Sequence, residues 1–481
     1  MGSTSRKKRT TKREQRESTL PEGHGARVLD KLLLLEHVIS PDEVLQVLHD
    51  TGCLDARRCT LTFEVTCWIV LAMGILTDLP IRQVFKAARR LYPNEATPHR
   101  SSLCRARQRL GVAPLRLLFE RIARPLANLD TPGAFYKGLR LMGLDGMIYT
   151  VPDSPSNASA FGYPQGGRGS GAFPQVRKLS LVELGTHAEQ AFALKGVREK
   201  ESGEQSMAPA LLRHLQRGML LMWDRGFFSY KLWQAVLLRC DLLARVKVHL
   251  ILRPVKHLSD GSHLSKLFPS AQDRTKDRYG ILVRVIRYTH SDPNRVGCGQ
   301  EHALLTTLLD AQKHPAEELI LLYHERWEIE TTFAEQKTHL TPPRTTKSAH
   351  LRSESPLGVV QEIYALSIGH YVTRSLMAEA AAQSDQDPDR LSFLGCLQIL
   401  KARLPECPGD EKERAAWIEL FLGELAKERT DKRRNRINPR VVRIKMSKFK
   451  KKRPEHRETN PLKSAFGDVI VLLPVPQPPT G

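Results

Sequence analysis

Hydrophobic positions recur at helical spacing through the first quarter of the chain, form short apolar or alternating blocks through its middle, and return to helical spacing towards its end. Residues 28–37, 41–51 and 81–91 carry the amphipathic pattern of helices, and 97–111 has a capping start and a glycine stop. The apolar run 67–77 is too short to cross a bilayer and predicts a buried helix. These segments predict an all-helical region over 28–130. From Gly138 the pattern becomes extended: blocks at 139–144, ending in Asp145-Gly146, then at 148–151, 176–184 and 190–197, predict strands, with 162–171 a flexible loop. A helix at 206–217, a short buried strand at 219–223 and a helix at 230–240 follow. Blocks at 242–252, 280–288 and 302–308 predict a β-rich insertion over about 242–308. Helices return at 319–340 and 356–426, and the chain after Lys427 reads as extended or loosely packed despite the apolar stretch 469–475. There is no internal repeat. The expected class is mixed α/β, a sheet carrying helices.

The helix at 319–340 is the most informative element. At about 100° per residue, with Tyr323 at zero, Arg326 falls near about −60°, Glu330 near about −20° and Lys337 near about −40°. Leu322, Ile329, Phe333 and Leu340 make a neighbouring apolar stripe whose burial leaves the polar row at the edge of a core. Glu325, Glu328 and Glu335 fall on the far side. One glutamate beside two cations and a phenol suits a metal held next to a phosphate, although a salt-bridged amphipathic helix has the same pattern.

Charge sharpens this picture. The 481 residues carry a formal net charge of +22, concentrated in two tails. Residues 1–27 hold eight Lys/Arg against three Glu, and residues 427–457 hold fifteen against three acids, net charges of +5 and +12. Basic tails of this kind give salt-dependent affinity for nucleic acid, while solubility or a localisation signal is the simpler reading. Arg105, Arg107 and Arg109 in the last turns of the 97–111 helix could sit in a DNA groove, although helix C-termini favour cations in any case. Eight scattered cysteines without a Cys-x-x-Cys pair argue for a reducing compartment and against zinc. The histidines show no ligand spacing, and His249, His324 and His339 read as bystanders. No export signal or membrane span is visible, so a cytoplasmic protein without membrane partners is expected.

Three acids stand out by position. Asp145 and Asp224 each end an apolar strand at a glycine-containing turn, and Glu330 projects from the edge of a packed helix. Such aspartates are usually turn formers, but three carboxylates from two strands and a helix could bind two magnesium ions completed by a substrate phosphate.

Taken together, Tyr323, Arg326, Glu330 and Lys337 resemble the Y-x2-R-x3-E-x6-K signature of the insertion-sequence-four family of bacterial DDE transposases. Asp145-Gly, with Pro152-Asp153, Asn157 and Phe161-Gly162 after it, resembles the family's first-aspartate motif, and Asp224-Arg-Gly-Phe-Phe its second. Leu351-Arg-Ser353, Gln361-Glu362 and Arg107-Gln-Arg-Leu-Gly111 add to the likeness, which runs from about residue 25 to 457. Met147 departs from it, since a small hydroxyl residue more often follows Asp-Gly.

The resemblance implies a ribonuclease H-like catalytic core at 138–377, interrupted by the β-rich insertion, with helices over 378–426 and a basic tail over 427–481. It implies that Asp145, Asp224 and Glu330 hold two Mg2+ ions, which Mn2+ could replace, for strand cleavage and strand transfer. Arg326 and Lys337 would grip phosphates and Tyr323 would donate a hydrogen bond to one. Family members commonly excise their element through a DNA hairpin, and Trp327 is either the platform for a displaced base or a packing residue. The expected partners are double-stranded DNA, as terminal inverted repeats and target, and a second copy of the chain in a synaptic dimer, with the helices after Ser355 as the expected contact. The expected location is the bacterial nucleoid. A catalytically silent repressor of transposition and a basic RNA-binding protein are the competing readings.

Overall fold

The structure, a computed structural model, describes residues 29–55, 59–90, 96–166, 169–293, 298–341, 349–430 and 464–475. The basic tails at 1–27 and 431–457, and Val28 at the start of the first expected helix, lie outside these residues.

The strands are β1 (Leu139–Thr150), β2 (Gln175–Glu183), β3 (Ala188–Gly196), β4 (Met219–Trp223), β5 (Asp241–Val246), β6 (Pro254–His257), β7 (His263–Leu267), β8 (Ile281–His290), β9 (His302–Thr306) and β10 (Ile470–Leu472). One mixed sheet runs in the order β3-β2-β1-β4-β5-β9-β8-β7-β6, with β10 added beside β8. β1, β2 and β3 form an antiparallel meander, while β4 and β5 lie parallel to β1. This is the ribonuclease H-like arrangement. Alternation along β1 sends Leu141, Met147 and Tyr149 to one core and Met142 and Leu144 to the other, so the sheet separates two hydrophobic layers.

The expected insertion needs redrawing. Asp241–Val246 is the last strand of the central sheet, and the inserted β6–β9 continue that sheet through the antiparallel pairing of β5 with β9. β6 and β7 were not anticipated, because charged and histidine residues interrupt their apolar pattern. The apolar stretch near 469–475 is also not loose: Ile470–Leu472 pairs with the end of β8. A strand lacking an apolar face of its own gains its hydrogen bonds from a sheet edge left open.

Other elements differ locally. The helix expected at 206–217 is Glu204–Met207 followed by two 3₁₀ turns, because Pro209 cannot continue an α-helical ladder. The segment 28–37 contributes only the 3₁₀ turn Leu33–His37. The loop 162–171 closes through the two-residue strands Gln165–Gly166 and Gly169–Ser170. Among the other helices, Pro41–Asp50, Ile81–Ala87, Arg100–Leu110, Ala113–Ile122, Tyr230–Leu237, Pro356–Gln383, Phe393–Arg403 and Glu411–Leu425 follow the sequence pattern, while the buried run expected at 67–77 is the helix Phe63–Met73, which stops before Gly74. Pro356–Gln383 is buried over most of its length and shares one core with Phe63–Met73, Glu411–Leu425 and the meander. No helix among the described residues is long and apolar enough to cross a membrane.

Candidate active site

Asp145 does not end a strand. β1 runs unbroken through Asp145-Gly146, because β2 pairs with it from Met142 to Thr150. The parallel neighbour β4 pairs only with Arg140–Gly143 and ends at Trp223. Beyond that point, as far as Tyr149, no strand among the described residues pairs with that edge of β1, and Leu351 N–H bonds to the Thr150 carbonyl after it. Continuing the register of Gly143 with Met222 by two residues sets Asp145 beside Asp224, the first residue past β4. Two aspartates distant in sequence thus meet where one strand stops and the other continues.

Local bonds fix both carboxylates. Asp145 Oδ1 accepts the Gly146 N–H at 2.8 Å. Asp224 caps the 3₁₀ turn Arg225–Phe227, its Oδ1 accepting the Gly226 N–H at 2.7 Å. Buried Trp223 and Phe227 stack at 5.9 Å beneath that turn.

The expected helix 319–340 is two helices and a coda. Ala316–His324 passes through a tight turn, in which Glu325, Arg326, Glu328 and Ile329 bond to carbonyls three residues back, into Trp327–Ala334. The wider π-helical segment Glu335–Leu340 follows. Overwinding and then underwinding alter the uniform 100° step, yet the polar edge survives. Gly143 lets Trp327–Ala334 lie close on β1, since a Cβ there would meet Ile329 and Leu184. Arg326 therefore reaches both acids: Nη1 to Asp145 Oδ2 at 3.2 Å and Nη2 to Glu330 Oε1 at 3.2 Å. All three side chains remain partly open to solvent.

Burial raises the Asp145 carboxyl and Asp224 adds like charge; against the Gly146 N–H and Arg326, they hold it at about 6. A proton or a cation is welcome there. Every donor is a carboxylate oxygen, which suits a hard divalent ion that keeps some of its waters.

The other expected site residues separate into two groups. Trp327 is 52% exposed next to Arg326. Lys337 is half-buried in the π-helical segment, and burial lowers its ammonium pKa. Tyr323, by contrast, is buried; its hydroxyl donates to the Trp223 carbonyl at 3.2 Å and its ring lies 5.9 Å from the Arg326 guanidinium. Its proton is directed into the strand that presents Asp224. Arg105 and Arg109 are exposed, but Arg107 turns inward, donating to the Gly358 carbonyl at 2.5 Å and Ser353 Oγ at 3.3 Å.

The accompanying motifs form one joint around Arg107. Gln361 donates to the carbonyls of Arg107 and Gly111. Glu362 accepts from the backbone N–H groups of Arg352 and Ser353 and from Ser353 Oγ. Arg352 donates to the carbonyls of Thr77 and Leu79, and Asn157 to those of Pro152 and Ser353. These residues join the N-terminal helices to the catalytic core rather than facing a ligand.

Sequence reasoning missed a second polar cluster on the same helix. Glu335 is buried and accepts from Arg374, from His370 at 2.9 Å and from His187 Nδ1 at 3.1 Å. His187 Nε2 faces Glu328 at 2.9 Å and Asp389 at 3.0 Å. His187, Glu328 and Asp389 are close enough to hold a metal ion by donor type. Burial and Arg374 depress the His187 pKa, but Asp389 and Glu335 outweigh them and carry it up to about 10, so the imidazole keeps its proton there. No spacing in the sequence links residues 187, 328, 335, 374 and 389.

Comparison with known proteins places the chain as a whole. Residues 29–120 match the insertion element 4 transposase N-terminal family, and residues 139–368 match the transposase DDE domain. The chain is 28% identical over 444 residues to the transposase InsG for insertion sequence element IS4 from Escherichia coli (strain K12), covering 90% of this chain and 95% of that one. It is 26% identical over 199 residues to the putative transposase InsZ of the same organism, covering 41% of this chain and 64% of that one. With its aspartates in register at an open strand edge and its glutamate brought to them by Arg326, the chain belongs to the insertion-sequence-four family of DDE transposases.

Proposed function

We propose that this transposase moves a DNA element by cut-and-paste, with Asp145, Asp224 and Glu330 holding two divalent ions, Mg2+ in the cell. The observation that carries the reading is the convergence of Asp145 and Glu330 on Arg326, with Asp224 near enough to Asp145 to add like charge. When bound, the ions activate a water or a DNA 3′-hydroxyl and stabilise the leaving oxygen in an in-line displacement at phosphorus.

The chain's own residues do the rest. Arg326 holds Asp145 and Glu330 in place, and its planar fork would grip a phosphate brought to them. Tyr323, through the Trp223 carbonyl, fixes the strand end that presents Asp224. Lys337 supplies a second cation near the cleaved end. Trp327, with half its surface exposed beside Arg326, offers a face on which a displaced base stacks, supporting excision through a hairpin. Terminal inverted repeats and target DNA are the substrates, bound by a synaptic dimer, with Arg105, Arg109 and the basic tails adding backbone contacts.

Incubating the protein with a labelled duplex DNA end and Mg2+ tests this. Cleavage with a hairpin product on a denaturing gel is expected, and Asp224→Ala abolishes cleavage while leaving DNA binding largely intact. Binding of ends without cutting, in Mg2+ or Mn2+, assigns the chain instead to a silent repressor. For Trp327→Ala the expected result is nicked but unhairpinned DNA.

A further inference from the structure

We propose that Glu204 is a fourth carboxylate of the catalytic metal site, reaching the ion held by Asp145 from the sheet face opposite the helix that carries Glu330. This rests on the two-ion reading given above.

Glu204 opens the short helix Glu204–Met207, between β3 and β4. Its side chain lies directly against Gly146, the residue after Asp145: a Cβ built on Gly146 would fall on Glu204 Oε1, Cδ and Cγ. Glycine at 146 is therefore what admits the carboxylate, and the Asp-Gly pair gains a physical explanation. Side chains alternate along a strand, so Asp145 faces Trp327–Ala334 while position 146 faces the other layer. Among the described residues no strand pairs with β1 on that side at Asp145 and Gly146, which leaves groups from both faces able to meet there.

The neighbouring residue points to the same place. Gln205 Nε2 donates to the Gly226 carbonyl at 2.6 Å and to the Phe228 carbonyl at 3.2 Å, gripping the turn that follows Asp224. The dipeptide Glu204-Gln205 thus touches both aspartate-bearing segments.

The charge arrangement repeats on the two faces. Arg177 Nη1, from β2, sits 2.8 Å from Glu204 Oε1, as Arg326 sits on Asp145 and Glu330. Glu204 leaves 30% of its side chain exposed, close to the 29% of Glu330, whereas Glu189 and Glu335 are closed off by their partners. An acid with one cationic partner and open surface can exchange that partner for an ion.

The experiment is Mn2+ binding to the full-length chain by isothermal titration calorimetry, with melting temperature in EDTA as a control for folding. Glu204→Gln keeps the shape and loses the charge; it should weaken Mn2+ binding by ~10-fold or more with the EDTA melt retained. Arg177→Met removes the competing cation and should leave Mn2+ binding as tight as in the wild type or tighter. Asp224→Asn reports the triad. If Asp224→Asn weakens binding but Glu204→Gln does not, Glu204 is no ligand and the two-ion reading survives. If Glu204→Gln and Arg177→Met weaken binding equally, the pair is a structural salt bridge and the proposal fails. Absence of Mn2+ binding in the wild type, with and without a DNA end, overturns both readings.

Discussion

Two carboxylate clusters share the segment Trp327–Leu340, and they differ in burial and in how closely cations enclose them. Glu330 stands at the open edge with Arg326 shared between it and Asp145, each partly exposed. Glu328 and Glu335 stand on the buried side, where His187, Arg374 and His370 surround them. The first cluster has more acid than cation and admits solvent, so an ion can enter. The second is sealed from water, with protonated His187 and Arg374 set among its acids, and an ion would have to displace them. Angle on the helix separates the clusters, but partner supply determines their roles.

The largest expected effect tests the first cluster. Glu330→Gln should lower DNA strand cleavage on the order of 10⁴-fold, as removing one member of a catalytic unit does, with little change in thermal melting. A cleavage rate near wild type would remove Glu330 from the chemistry. Next, Glu335→Gln strands Arg374 and His187 in the interior and should destabilise the fold by about 3–5 kcal/mol, read by chemical denaturation. A stable but inactive Glu335→Gln protein would blur the comparison by placing Glu335 in the site.

A smaller effect separates the clusters by ligand. Mg2+ at hundredfold excess over its Kd should stabilise the wild type by about 2.7 kcal/mol over EDTA, and Asp145→Asn should lose most of that gain. Stabilisation that survives Asp145→Asn but not His187→Gln would move the ion to the buried cluster. The smallest effect is in pH. The folded His187 pKa is raised above 6.5 to about 10, so its stabilising contribution is full below pH 6.5 and fades as pH rises towards 10. Melting temperature in EDTA should decline over that window, and His187→Gln should flatten the decline. The Asp145 carboxyl, also raised, contributes in the same sense between pH 3.8 and about 6.

Much of this was legible in the chain. Tyr323, Arg326 and Glu330 lie within eight residues, and local helix geometry keeps such neighbours in order even when a 3₁₀ turn and a π-helical segment distort the pitch. Helices with a single apolar face, such as Pro41–Asp50, were equally plain. Arg107 has no local signal that separates it from Arg105 and Arg109, because a cation near a helix end looks alike whether it faces DNA or a carbonyl of a distant helix. Asp145 was placed at a strand end because Asp-Gly usually marks a turn; only β2, pairing along the whole of β1, carries the strand through it. β6 and β10 lack a period of their own and exist through their neighbours.

The sequence by itself determined the helical and extended segments, the acids with catalytic potential and the cations beside Glu330, because these depend on residues a few positions apart. Tertiary structure decided where β4 stops against β1, which arginines turn inward, and that Glu328 and Glu335 are enclosed by His187, His370 and Arg374. Those outcomes depend on strand register and on burial of charge among distant residues. Neither has a local signal, since any carboxylate meets the same water until the chain folds around it.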